Sequence, residues 1–188
     1  MKMNGEKLIN ASRKEVWDAL NSPEKLKLAI PGAESVEKKD DNNLTAIVKT
    51  KIGPISAKFT GNIVLSDINP PISYTLTGEG TGGAAGFAKG TATVILDEID
   101  ENTLLKYSVD ASVGGKLAQI GQRLIDTAAN KLANEFFGKF NEILNHDDDN
   151  VESKENTSNN NQGISQKIWV TILIILASLS TLIWYSLS

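Results

Sequence analysis

The hydrophobic period changes once along this chain, from two to that of a helix, and few folds accommodate such a change. Leu44, Ala46, Val48 and Ile52 share one face of an extended segment. Ile55, Ala57, Phe59, Gly61, Ile63 and Leu65 alternate with Ser56, Lys58, Thr60, Asn62 and Ser66. Ile72, Tyr74 and Leu76 follow the same rule, as do Leu105, Tyr107, Val109 and Ala111. One face buried and one wet is the pattern of an antiparallel sheet. Breaks at Gly53-Pro54, Asn69-Pro70-Pro71 and Asp100-Glu101-Asn102 mark its hairpins. From Gly115 to about Leu144 the period is helical, with Leu117, Ile120, Leu124, Ala128, Leu132, Phe136, Phe140 and Ile143 forming one stripe.

Before the sheet pattern, residues 3–11 alternate weakly and fit a strand. Ser12 precedes Glu15 by three, a capping box that opens a helix over Val16, Trp17 and Leu20. Ser22-Pro23-Glu24 repeats the start signal for a second short helix, which stops before Pro31-Gly32. The predicted order is one strand, two short helices, about six more strands and a long helix. This is an α+β fold, a curved antiparallel sheet of about seven strands with a long helix across its concave face. Where that helix stands off the sheet, an apolar cavity is expected.

Composition narrows the function. The 188 residues carry a net charge of −4, no cysteine and one histidine. Thiolate metal sites, disulfides and cysteine nucleophiles are excluded, and the acidity argues against a nucleic-acid partner. The histidine, His146, abuts Asp147, Asp148 and Asp149 in a polar stretch that cannot fix a coordination geometry, so no metal site is expected. Six glycines crowd between Gly78 and Gly90, and 78–83 literally match G-x-G-x-x-G. No helix start follows, and Glu79 would repel a pyrophosphate. A glycine-rich turn that lets backbone approach a ligand or partner fits better. No carboxylates pair at suggestive spacing, and no catalytic residue is assigned.

Three segments differ in character. Residues 1–144 are globular, with 17 Lys and Arg against 18 Asp and Glu. Residues 145–166 hold five acids, one lysine and almost nothing apolar, which predicts a disordered linker. Residues 168–187 carry no charge over 20 positions, with Trp169 at one end and Trp184 and Tyr185 at the other. As a helix this run spans about 30 Å, so 167–188 are expected to form a C-terminal transmembrane anchor. Residues 1–16 show no apolar stretch of a secretory signal. The domain is therefore expected in the cytoplasm, tail-anchored to the cytoplasmic membrane.

Several blocks then occur in a familiar order. They are Val16-Trp17-Asp18-Ala19-Leu20, Ile30-Pro31-Gly32 followed by Glu34-Ser35-Val36, YTLTGEGTGG at 74–83 running into Gly86-Phe87-Ala88-Lys89-Gly90, VGGKLAQIGQRLI at 113–125, and Glu135-Phe136-Phe137. On these, residues 1–144 resemble the carbon monoxide dehydrogenase G-subunit family, within the START-like (SRPBCC, helix-grip) superfamily. The resemblance implies a non-enzymatic accessory protein associated with molybdenum-containing oxidoreductases such as carbon monoxide dehydrogenase at the membrane. It also implies binding of a quinone, menaquinone or ubiquinone, with no other cofactor. Ala33 departs from relatives that place cysteine after Pro-Gly.

The expected cavity wall is Leu28, Ile30, Phe59, Ile63, Tyr74, Phe87, Leu105, Tyr107, Leu117, Ile120, Gly121 and Leu124. Pro31, Gly32, Gly82, Gly83 and Gly86 are expected at its mouth. Gly121 is read as a mid-helix glycine that either admits another backbone or leaves a cavity open, and a leucine there should block a ligand. Two other readings stand beside the carrier: a recruitment scaffold whose cavity is filled by its own side chains, and a START-like enzyme using Tyr74, Tyr107 or a buried carboxylate.

Overall fold

Seven strands form a single antiparallel sheet: β1 (Lys2–Ile9), β2 (Ala33–Lys38), β3 (Asn43–Ile52), β4 (Ile55–Asn69), β5 (Ser73–Thr81), β6 (Phe87–Ile99) and β7 (Asn102–Gly114). In this computed structural model, which describes residues 1–155, the spatial order is β1-β7-β6-β5-β4-β3-β2. Strands β2 to β7 are an up-and-down meander, and β1 closes onto β7 with Gly5 opposite Tyr107. Between β1 and β2 lie α1 (Arg13–Leu20) and α2 (Pro23–Ala29).

Both short helices start where the caps predict. The Ser12 hydroxyl accepts from the Glu15 backbone N–H, and the Glu15 carboxylate accepts from the Ser12 N–H at 2.9 Å, a complete capping box. Those hydrogen bonds from Ser12 hold the Glu15 carboxyl below its ordinary range. Ser22 caps α2 by accepting from the Lys25 N–H, with Pro23 in the first turn. At the β3–β4 turn, Ile52 pairs with Ile55, and Gly53 takes a φ of 58° beside Pro54. That is the left-handed conformation a two-residue hairpin needs.

The core lies where α1 and the last helix meet the sheet. Val16, Ala19, Leu96, Leu105 and Phe140 are fully buried there, joined by Ile9, Tyr74 and Leu144. Thr103 is the buried polar side chain among the described residues, and its hydroxyl donates to the Ala11 carbonyl at 2.8 Å. This bond ties the end of β1 to β7. Thr103→Val leaves that carbonyl unpaired and is expected to cost about 1–3 kcal/mol, whereas Thr103→Ser keeps the donor. Equal thermal stability of the two variants would refute the assignment.

The long helix differs from its prediction in one respect. It is broken into α3 (Lys116–Gln119) and α4 (Gln122–Glu155), separated at Gly121, whose φ is 89°. A left-handed residue cannot continue a right-handed helix, so Gly121 ends α3 instead of lying within a helix. The break also shifts the phase of the stripe. Ile125 is buried and Leu124 is 48% exposed, after which Leu132, Phe136, Phe140 and Leu144 follow at helical spacing.

Helix α4 is described to Glu155, past Leu144 and into the acidic stretch. Adding turns to an existing helix needs no apolar contact, because nucleation has already been overcome. Met1–Asn150 pack as one compact unit. Among the described residues no helix is long and apolar enough to cross a membrane. The remainder of the expected linker and the expected anchor at 167–188 lie outside them.

Candidate functional site

The concave face of the sheet is paved with small residues. Ile63 pairs across to Gly78, Gly78 to Gly90, and Gly90 to Ala111. The adjacent row runs Gly61, Gly80, Ala88, Val113. Side chains alternate across a strand, so Gly78-x-Gly80 leaves one face of β5 bare while Thr77 and Glu79 point to the convex side. Space is therefore left over these rows where other sheets would carry Leu or Val.

With the apolar surface beside it, that space makes a trough of three adjoining recesses. The most enclosed, about 250 Å³, lies between the α1–α2 corner (Leu20, Leu26), the sheet (Ile63, Leu76, Leu105) and the roof formed by Phe136 and Phe137 of α4. A second, about 320 Å³, opens beside Pro31, Val48 and Leu132. A third, about 390 Å³, covers Phe59, Gly61, Gly80 and Ala88. Ile30, the last residue of the α2 cap, borders all three. Together they reach the size of small-molecule sites, roughly 300–1,000 Å³.

Aromatic contacts hold the closed end in shape. Trp17 meets Tyr74 edge-on at 5.5 Å, Tyr107 stacks on Phe137 at 5.4 Å, and Phe136 stacks on Phe140 at 5.5 Å. Gly5 lets the Tyr107 ring lie flat on β1, since a Cβ there would lie 2.5 Å from the hydroxyl oxygen.

The polar lining of the enclosed recess is sparse: Asn21, Lys38, Tyr74 and Tyr107. Lys38 keeps its ammonium at the rim, 3.4 Å from Asp41, and lends the recess its alkyl stem. Burial pushes the Tyr74 phenol well above its usual range, so it stays protonated and can donate a hydrogen bond. Its hydroxyl has no hydrogen-bond partner among the described residues. No carboxylate or histidine lines this recess, and no metal-ligand cluster occurs among the described residues. The arrangement suits a neutral, largely apolar molecule with one acceptor group.

Of the residues expected at the wall, Ile30, Ile63, Tyr74, Leu105 and Tyr107 line the enclosed recess and Phe59 the third; of those expected at the mouth, Pro31 lines the second. The others lie elsewhere. Leu28 is 65% exposed, because two residues on from Leu26 is the opposite side of a helix. Phe87 sits on the convex side over Gly114. Leu117 is buried beside the end of β7, and Ile120 and Leu124 reach the β3–β4 tip at Gly53. Gly32 pins the α2–β2 loop to β3, its carbonyl accepting from the Lys49 N–H at 2.8 Å. Gly82 touches the Phe59 ring, while Gly83 and Gly86 shape the 3-10 turn between β5 and β6 and line no recess.

Nothing lies within 4 Å of a Cβ built on Gly121, so no backbone packs there. Gly121→Ala is expected to cost about 1–2 kcal/mol through its positive φ and to leave any bound ligand in place. Ligand lost with stability unchanged would reverse that expectation.

A curved antiparallel sheet gripping a long C-terminal helix over an apolar trough defines the helix-grip class. Within it, the family model for carbon monoxide dehydrogenase G-subunits (CoxG) matches residues 5–145, and the chain belongs to that family. A conserved protein from Geobacillus kaustophilus is 33% identical, with 78% of this chain and 96% of that one covered and a TM-score of 0.73. A Mycobacterium smegmatis protein (16% identity, 77% and 91% covered, TM-score 0.60) shares the fold. So does the ZhuI aromatase/cyclase of a Streptomyces species (9% identity, 77% and 93% covered, TM-score 0.59). No curated protein matches the chain.

Proposed function

We propose that this protein is a membrane-tethered carrier that holds a respiratory quinone in its trough. It recruits a molybdenum-containing oxidoreductase of the carbon monoxide dehydrogenase type and passes quinone between bilayer and enzyme. The observation that carries the reading is an apolar recess roofed by Phe136 and Phe137 beside the buried Tyr74 phenol, adjoined at Ile30, Ala46 and Ile63 by a second space over the glycine floor of the sheet. A quinone offers carbonyl acceptors for the Tyr74 hydroxyl and an apolar ring and tail for Ile30, Phe136 and Phe137. Membership of the CoxG family supports the partner class. The uncharged run at 168–187 supports the tether. The role is binding and delivery, with chemistry left to the partner.

The test uses the full chain, purified in mild detergent from membranes of a quinone-making host. Native mass spectrometry with organic extraction is expected to find about one quinone per chain. A bare polypeptide mass, unchanged after exposure to quinone-loaded vesicles, would leave a recruitment scaffold without ligand as the better account. The partner enzyme is expected to co-purify in either case, and its absence from the host's membrane fraction would refute recruitment.

A further inference from the structure

In an up-and-down sheet, alternate connections fall at opposite ends. The β3–β4 and β5–β6 turns and the β7–α3 corner share one end, and the β2–β3, β4–β5 and β6–β7 turns share the other. The two ends differ sharply in charge. Residues 42–66, 80–96 and 111–125, which carry the three connections of the first end, contain no Asp or Glu but hold Lys49, Lys51, Lys58, Lys89, Lys116 and Arg123. Lys58 pairs with Glu34 at 2.6 Å. Lys51, Lys116 and Arg123 are exposed and have no acidic partner among the described residues. At the opposite end the β2–β3 turn carries Asp40 and Asp41, and β4 ends near Asp67. The β6–β7 turn there is flanked by Asp97, Glu98, Asp100 and Glu101; Asp41, Asp97 and Glu98 pair with Lys38, Lys106 and Arg13, and Asp40, Asp67, Asp100 and Glu101 keep this end acidic.

The basic end is also apolar at its tip. Ile52, Gly53, Pro54 and Ile55 form the hairpin, and Ile120 and Leu124 lie 3.7 and 3.9 Å from a Cβ built on Gly53. Leu124 is half-exposed, and Gly121 beside it faces open space. An apolar knob ringed by unpaired Lys and Arg has the chemistry of the interface of an anionic membrane. The third recess is lined mostly from the same segments, at Phe59, Gly61, Gly80 and Ala88, with Glu79 as its one acid beside Lys89, and no residue of α3 or α4 lines it.

We propose that the end formed by the β3–β4 hairpin and the α3–α4 corner docks on an anionic lipid bilayer and presents the uncovered part of the trough to it. This deepens the carrier reading by naming the face through which a ligand would pass. The acidic end is repelled by the same surface, so the two ends orient the domain. A ligand leaving past Phe59 then enters lipid without crossing water.

Because the chain has no cysteine, single cysteines can report depth. The full chain with Leu124→Cys or Glu101→Cys, labelled with an environment-sensitive fluorophore, is placed in phosphatidylcholine vesicles with or without phosphatidylglycerol. The acyl region of these vesicles carries a nitroxide quencher. Quenching is expected at position 124 in the anionic vesicles and not at 101. The combined variant Lys51→Glu, Lys116→Glu, Arg123→Glu should lower the inserted fraction by roughly 100-fold, about fivefold for each charge. Raising salt should do the same without mutation. No quenching at 124, equal quenching at both ends, or quenching indifferent to phosphatidylglycerol, salt and the three charges would overturn the proposal. Quinone content is measured on the same preparation. Quinone bound without insertion at 124 removes the docking face and leaves the carrier, whereas insertion without quinone does the reverse.

Discussion

Gly78→Leu is expected to empty the trough of ligand while the domain stays folded. A Cβ at Gly78 would meet the Asn62 carbonyl at 3.8 Å and Ile63 at 3.9 Å, ordinary contact distances, and the backbone there has no left-handed φ. Gly80 and Gly61 are alike in this, with nearest neighbours at 3.7 and 3.6 Å. Local geometry thus demands glycine at none of the three. Glycine inside a strand costs roughly 0.5–1 kcal/mol relative to alanine, so these positions give up stability and gain open space. Gly78→Ala is accordingly expected to raise stability slightly, while Gly78→Leu fills the floor of the third recess beside Ile63 and lowers quinone occupancy at least about tenfold. Extraction together with a thermal melt checks both. Full occupancy in the leucine variant would show that the ligand sits elsewhere.

Phe140→Ala is expected to destabilise the domain by about 3–5 kcal/mol, the usual loss for a phenylalanine with no exposed surface. Phe140 has 0% exposure and stacks on Phe136, which in turn roofs the trough. At roughly 2–4 °C per kcal/mol for a chain of this size, the melting temperature should fall by about 6 °C or more. The enclosed recess should lose its shape at the same time. The effect differs from that of Gly78→Leu, because stability and ligand retention fall together. A melting temperature within about 2 °C of wild type would mean that α4 is held by other contacts.

Alternation and capping carried most of the fold. Five of the seven strands, two capped helices and a terminal helix are legible from period and from Ser12 and Ser22, because each signal is local, whereas β2 and β6 enter only through the expected total of about seven. The candidate site was legible only in part, and the losses share a cause. A hydrophobic pattern reports large side chains, whereas this site is defined by missing ones. Gly78, Gly80 and Gly90 carry no apolar signal, and their strand spacing is visible only once β5 and β6 are known to extend that far. Phe87 is expected at the wall, yet its neighbour Ala88 is the one that faces the trough. The break at Gly121 was hidden by a stripe that continues across it, so Leu124 stood in for Ile125. Val36 and Lys38 were missed because a six-residue edge strand gives little periodicity to read.

The pairing of β1 with β7 has a consequence for biogenesis. The first strand synthesised has no partner until the last strand has emerged, with Lys2 waiting for Asp110 and Ile9 for Thr103. At about 5–20 residues per second, that separation of roughly 100 residues leaves the N-terminal segment unpaired for on the order of 5–20 s. The meander from β2 to β7 forms meanwhile from near neighbours, whereas closing β1 requires a loop across most of the domain. The newborn protein therefore passes through a stage in which the sheet is built but its first strand is still free. During that interval the unpaired edge of β7 is exposed to any extended segment nearby.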